Sequence, residues 1–436
     1  MKDPRDYLDH EKMSFLQIIV VLITVLLNAI DGFDVLSISF AAPGIAREWG
    51  TTPAALGVVM SMELIGMAIG SFFLGGVADR LGRRPTILGC LAAMTIGMLL
   101  VTTATDAIQL SIWRVIVGLG IGGILACINA VVAEFSSIKR RGMCISIMVI
   151  GYPLGGTFGG LVASNLLATH DWRSIFYFGA ALTGLLLPAV YFFVPESVHW
   201  LTRTQPKGAL EKINAALTRM KFPSIPGLPT IIGQETKKSI TDIFSRSMAG
   251  VTLLLTLVYF LHITTFYFIL KWSPKIVADM GFSPSLAGQV LVCVSIGGAV
   301  GGAIFGWLTT RIELKKLTII ILVLSSIFVA VFGRTSADLS QIKLLAAFAG
   351  FFGNAGISGL YSILAIAFPT DLRATGTGFV IGIGRAGAVC SPILAGFLLQ
   401  SGAILPTVAL VMGLGSLLAG LILICLPTRS ETVKEA

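Results

Sequence analysis

Asp31 and Asp34 stand three residues apart inside the first long apolar run, residues 15–42. That spacing puts both carboxylates on one face of a helix. A charged residue at the centre of a membrane helix costs about 2.5–3.5 kcal/mol on insertion scales. The pair must therefore face a watery cavity or a cationic partner. Arg114, in the fourth apolar run, is such a partner. At about 1.5 Å per residue, Asp34 lies about 12 Å and Arg114 about 9 Å below the outer ends of their helices, depths that allow an ion pair. A carboxylate ionises more easily beside a guanidinium and less easily beside another carboxylate, so the aspartates are expected to titrate as a coupled pair. Such a pair suits proton coupling. A static ion pair is the alternative, although it needs only one acid.

Arg385, in the eleventh run, lies about 18 Å in from the cytoplasmic side, near the midplane. Its planar fork suits a carboxylate bidentately. It is read as the anchor of an anionic ligand, with a structural pairing as the alternative. Glu63 lies about 15 Å inside the second run. It is open to pairing with Arg114 or Arg385, to binding a ligand hydroxyl, to carrying a second proton, or to lining a cavity while protonated. His262 is read either as a neutral interhelical bond or as a ligand or proton contact. Asn354 and Tyr361, seven apart, share a helix face and can meet a ring hydroxyl. Phe33, Tyr152, Phe266 and Tyr267 can sandwich a ring, ordinary packing being the alternative. Asn28 and Asn129 are read as interhelical glue.

The elements that must hold these groups are membrane helices. Of 436 residues, 55% are hydrophobic and only 12% charged, and the mean hydropathy is +0.90. A soluble core of this size is not so poor in charge. Twelve apolar runs begin near Phe15, Pro53, Pro85, Ile108, Met143, Ser174, Ala249, Pro284, Leu317, Ile342, Ala374 and Leu405. Each is about twenty residues long, enough to cross a bilayer as a helix. The first is too long for a signal peptide. Segments on the N-terminal side of the membrane carry 23 Lys and Arg, and those on the other side carry 6. This bias places both termini in the cytoplasm, so the net charge of +9 reflects topology rather than nucleic-acid binding. The six cysteines show no metal-ligand spacing and are read as packing residues.

Residues 195–246 form the largest polar interruption, a cytoplasmic linker with a short amphipathic helix around 207–220. It divides a six-helix bundle at 1–194 from a second at 247–436, an all-α membrane architecture with two pseudo-symmetric halves. Gly75, Asp79, Arg80, Gly82, Arg83 and Arg84 join spans two and three, and Gly306, Arg311, Lys315 and Lys316 stand at the equivalent place in the second half. An acid at a helix end, a tight Gly turn and two arginines can cap a neighbouring helix and hold an ion-pair network. Glu134, followed by Arg140 and Arg141, is expected to join that network as a cytoplasmic gate, partnering Arg83 or Arg84. Glycines crowd spans five and eleven, Gly151 corresponding to Gly382 at the same offset of the repeat. They serve either tight packing or a moving seam.

With these motifs in view, the chain resembles the major facilitator superfamily over nearly its whole length. Asp31-Gly32-Phe33-Asp34, Phe40-Ala41-Ala42-Pro43 and Glu48-Trp49-Gly50 are similar to the opening of its aromatic acid:proton symporter family, whose members import 4-hydroxybenzoate and related acids. Arg114 before Gly118, Gly120, Gly122 and Gly123 is similar to that family's fourth helix. Pro369, Arg373, Gly376, Gly378, Gly384-Arg385-Ala386-Gly387 and Pro392 are similar to its eleventh. Pro195-Glu196-Ser197 with Trp200-Leu201 is shared with sugar porters. The second loop copy departs from the pattern, with Thr310 where Asp is usual and Glu313 where Gly is usual. Ile366 stands where an acid often precedes the end of the tenth helix. Gating is therefore assigned mainly to the first copy.

The resemblance implies a symporter, not an enzyme, that carries an aromatic carboxylate with protons across a bacterial inner membrane. It implies protons as the coupling ion, no cofactor, and a working monomer. Asp31, Asp34, Arg114 and Glu63 are the candidate coupling residues. Arg385, Phe33, Tyr152, His262, Asn354 and Tyr361 are the candidate substrate contacts. Asp79, Arg80, Arg83, Arg84, Glu134 and Arg141 are the candidate gate. A transporter of sugars, organic cations or aliphatic acids is the first alternative; sugar sites want amides, and cation sites lack a central arginine. A membrane enzyme would show histidines clustered with carboxylates, and the four histidines here are scattered. A sensor would add an output domain.

Overall fold

In the computed structural model, residues 3–229, 240–245, 248–369 and 372–426 are described, and they contain helices and connecting turns but no strand. Linker residues 230–239 and 246–247 lie outside them. Helix α1 (Pro4–His10) starts on an Asp3 cap with proline in its first turn. Spans one to six are α2 (Phe15–Trp49), α3 (Pro53–Leu81), α4 (Arg83–Thr102), α5 (Ala107–Glu134), α6 (Ile138–Thr169) and α7 (Arg173–Phe193). Two short helices follow, α8 (Val198–Thr204) and α9 (Ala209–Arg219), the second being the expected linker helix. Spans seven to twelve are α10 (Ala249–Asp279), α11 (Pro284–Leu308), α12 (Leu314–Phe332), α13 (Leu339–Ala367), the pair α14 (Arg373–Gly384) and α15 (Ala386–Gln400), and α16 (Leu405–Ile424). Twelve helices among the described residues are long and apolar enough to cross a membrane.

The helix starts repeat between the halves. Asp106 caps α5 by accepting from the Ile108 and Gln109 amides, and Asp338 caps α13 by accepting from Ser340 and Gln341. Each cap satisfies donors that a helix start leaves open. Proline begins both α3 and α11, where its missing N–H costs nothing.

Two compact units divide the chain: Met1–Ala41 with Met62–Glu235, and Ala42–Ser61 with Thr236–Ala436. In the first, α3 and α5 interlock through small residues. A Cβ on Gly118 would stand 2.1 Å from the Glu63 carbonyl, and one on Gly66 2.3 Å from that of Val115. In the second, α11 and α13 repeat the device, Gly297 meeting the Ala347 carbonyl at 2.0 Å and Gly350 that of Val294 at 2.1 Å. Gly151 and Gly155 of α6 meet the Val25 and Ala29 carbonyls of α2 in the same way, which is tight packing inside one unit. Gly378 and Gly382 of α14 meet nothing within 4 Å.

Two features differ from the reading of the sequence. Helix α10 runs for 31 residues, through Asp279. Lys271, counted above as an outer-loop charge, is therefore inside a span and 0% exposed. The eleventh span is also two helices that meet at Arg385, with glycines crowding the approach.

Candidate functional site

The first unit buries an acid–guanidinium cluster. Helix α2 supplies Asp31 and Asp34, α3 supplies Glu63, and α5 supplies Arg114. Asp34, Glu63 and Arg114 are 0% exposed and Asp31 is 2% exposed. Of the pairings left open for Glu63, the one with Arg114 is formed, and it takes the guanidinium from the Asp34 carboxyl. The Arg114 guanidinium forms its ion pair with Glu63, and it reaches Asp34 only at the backbone, where Nη2 donates to the carbonyl at 3.1 Å. The α3–α5 glycine interlock sets this preference by drawing Glu63 and Arg114 together. The guanidinium carbon lies 5.5 Å from the centre of the Phe176 ring, and Nη1 lies 4.0 Å from the Met98 sulfur. Neither carboxyl oxygen of Asp34 has a hydrogen-bond partner among the described residues. A Cβ on Gly179 would sit 3.4 Å from Asp34 Oδ1, so that carboxyl lies against α7.

At the α3–α4 junction the expected ion-pair network is present. Arg83 bridges Asp79 at 2.9 Å and Glu134 at 3.6 Å. Three partners were not foreseen. Arg203 of α8 adds a bond to Asp79 at 3.3 Å, and the Trp200 indole donates to the Asp79 carbonyl at 2.8 Å. Glu196 accepts from the Arg83, Arg84 and Ser197 amides at 2.9, 3.4 and 2.9 Å. Its carboxylate thus caps the start of α4. Burial pushes the Glu196 carboxyl above its ordinary value, and the three amides pull it partly back. Gly82 has φ +109°, and a Cβ there would stand 2.3 Å from Glu196 Oε2. The glycine of this loop therefore has a local cause: only glycine leaves room for this cap.

Arg84 does not join the relay. It donates to the Tyr191 carbonyl at 2.6 Å and covers the Tyr191 ring. Arg80 is exposed. Arg141 also departs from its expected role. Its partner is Asp9 of α1, at 2.6 Å, and Asp9 also meets His199 at 3.4 Å. In the second unit's copy of the loop, Arg311 lies over the Trp307 ring.

The second unit gathers Arg385, Tyr259 and Tyr361. Arg385 is exposed at the α14–α15 break. Gly384 beside it lies against the Tyr259 ring, a Cβ there meeting Cδ1 at 2.5 Å. Tyr259 and Tyr361 stack with centroids 6.0 Å apart and hydroxyls 3.2 Å apart. Tyr259 was missed in the sequence; its only signal is a helical spacing of three to His262.

Several of the polar and aromatic residues singled out above make contacts between helices. His262 is fully buried, with Nε2 on the Gly353 carbonyl at 2.9 Å and Nδ1 on Ser416 at 2.8 Å. Because a carbonyl can only accept, Nε2 carries a hydrogen, and the ring pins α10 to α13 and α16. Asn354 donates to the Gly298 carbonyl at 2.7 Å, and Asn28 to Met148 at 2.8 Å. Phe33 is 1% exposed and packs edge-on against Phe178. Tyr152 presents its backbone to Gly32, with 2.1 Å between its carbonyl oxygen and a Cβ there. Phe266 and Tyr267 pack edge to face. Among the described residues no His, Cys, Asp or Glu cluster could hold a metal.

The sequence model of the Major Facilitator Superfamily matches residues 24–274 and 252–436. The chain is similar to a gallate transporter of Pseudomonas putida, 30% identical over 422 residues, covering 96% of this chain and 94% of that one. It is similar to the 4-hydroxybenzoate transporter PcaK of Pseudomonas putida, 28% identical over 399 residues, 89% of this chain and 87% of that one. A third relative is the 3-(3-hydroxy-phenyl)propionate transporter of Escherichia coli K12, 28% identical over 413 residues and 94% of both chains. Among solved structures, a D-xylose-proton symporter superposes with a TM-score of 0.73 at 17% identity, covering 95% of this chain and 98% of that one. The xylose transporter XylE from E. coli, inward open, gives 0.71 at 18% identity, covering 96% and 98%. At those identities the likeness concerns the fold alone.

Proposed function

This chain belongs to the Major Facilitator Superfamily, whose members here are multi-pass transporters and not enzymes, and from that premise we propose that it imports an aromatic carboxylate together with protons by alternating access. The observation that carries the reading is the buried cluster of Asp31, Asp34 and Glu63 around one guanidinium, more acid than a structural pair needs. The names of the relatives support the substrate class. Asp34 takes a proton from outside and Asp31 tunes it as a charged neighbour. Arg385 anchors the carboxylate, and the Tyr259–Tyr361 pair meets the ring. The Arg83 ion pairs close the cytoplasmic side and break when it opens, the bistable element that rocking bundles need. The setting is a bacterial inner membrane with both termini cytoplasmic. The working unit is a monomer, with protons as coupling ion and no cofactor.

Proteoliposomes test this directly. With the interior alkaline, uptake of labelled gallate, 4-hydroxybenzoate and benzoate is expected to exceed that of hexoses and organic cations, and a protonophore should abolish accumulation. Asp34→Asn should lose accumulation while keeping substrate counterflow. Accumulation by that variant equal to wild type would remove Asp34 from the coupling, and preference for a hexose would remove the aromatic acid.

A further inference from the structure

Arg114 touches two acidic residues, Glu63 and Asp34, and forms its ion pair with Glu63. Glu63 holds the guanidinium side chain to side chain. Asp34 receives only a bond to its carbonyl, at 3.1 Å, while its carboxyl oxygens lie buried without a hydrogen-bond partner among the described residues. A buried carboxylate that no hydrogen-bond donor reaches is costly in its charged form. The charges acting on the Asp34 carboxyl are those of Glu63, Arg114 and Asp31. Helix α4 adds Met98 to the cluster, and α7 adds Phe176 and Gly179, none of which titrates.

We propose that Glu63 is the resting counter-ion of Arg114, holding the guanidinium away from Asp34 while Asp34 carries its proton, and giving it up when that proton leaves. With Asp34 protonated, Glu63 neutralises Arg114, and Asp31 is the remaining acid of the cluster. When Asp34 gives its proton to water, one more carboxylate competes for the single guanidinium, which turns toward it. The added negative charge then draws the next proton back. Glu63 is thus a positioning residue that acts through Arg114. It sets the pH at which Asp34 loads and unloads, and it deepens the proton-coupled reading given above.

Infrared titration of the purified protein in lipid reads the cluster with the proton as the only probe. A protonated-carboxyl C=O band that Asp34→Asn removes belongs to Asp34. In Glu63→Gln, Arg114 has no competing acid and falls to Asp34. That band is then expected to vanish at a pH at least one unit lower than in wild type, a tenfold change in proton retention. Glu63→Asp keeps the charge on a shorter stem and should fall between the two, and it serves if Glu63→Gln does not fold. A band that titrates identically in wild type and in whichever variant folds would overturn the proposal, as would the absence of an Asp34 band in wild type. Uptake measured on the same vesicles keeps the two readings apart. Wild-type accumulation that ignores a protonophore would sink proton coupling, whereas an unmoved band beside proton-driven uptake would sink only the role of Glu63.

Discussion

Arg385 is the residue on which substrate choice turns in this reading. It is exposed where α14 meets α15, one residue from the glycine that seats the Tyr259 ring. A guanidinium fork holds a carboxylate through two parallel bonds, and an ammonium does not reproduce them. Hydrogen bonds to charged groups contribute about 1.5–3 kcal/mol. Arg385→Lys should accordingly raise KM for an aromatic acid about ten- to hundredfold, with kcat much less affected. Steady-state uptake in vesicles checks this, and an unchanged KM would take the anchor away from Arg385. The acids and arginines at this scale were legible because charge inside a membrane is too expensive to be incidental. Their partners were not. Whether Arg114 meets Asp34 or Glu63 depends on the rotation of three helices, which spacing along one helix does not contain. Lys271 was missed for a plainer reason: the apolar run ends before it, while the helix continues to Asp279.

The helix junctions show how much of an element its loop decides. The Gly82 turn was legible as a motif, but its cause lies in the Glu196 carboxylate, which accepts from the Arg83 amide 113 residues before it. No local pattern announces that contact. Gly82 combines φ +109° with ψ 165°, a backbone region that is nearly glycine's alone. Gly82→Ala should therefore destabilise by about 1–3 kcal/mol through backbone strain, besides displacing the cap. Glu196→Ala leaves three amides without their acceptor, at about 1–3 kcal/mol for a buried group. Glu196→Gln keeps an acceptor oxygen and sheds a buried charge. The sign follows from the raised pKa: a carboxyl that folding makes less acidic favours the folded state at low pH, and that contribution is lost as pH rises past its ordinary value. Thermal unfolding in detergent at neutral pH should then rank Glu196→Gln at or above wild type and Glu196→Ala below it. A Gln variant as unstable as the Ala variant would mean that the charge, not the acceptor geometry, makes the cap.

At the scale of the molecule, the twelve spans and the repeat of loop and glycine patterns could be read from hydropathy and spacing, because a bilayer admits few folds. The charge balance of the transport cycle could not, since it depends on how many acids are free to exchange protons. With Glu63 serving Arg114 and Asp31 acting as a charged neighbour, the carboxyl that exchanges the proton in this reading is that of Asp34, buried and without a hydrogen-bond partner among the described residues. One proton with a monoanion moves no net charge. The driving force is then the pH gradient alone, about 1.4 kcal/mol or tenfold in accumulation per pH unit. Two protons would add about 2.3 kcal/mol for each 100 mV of membrane potential. Vesicles holding a fixed pH gradient, with potassium and valinomycin setting an interior-negative potential, separate the cases. Accumulation of a monoanionic aromatic acid is expected to follow the pH gradient and to stay constant as the potential is stepped. A plateau that rises with the potential would show a second proton in the cycle, and Asp31, buried one helical turn before Asp34, is the acid that would have to carry it.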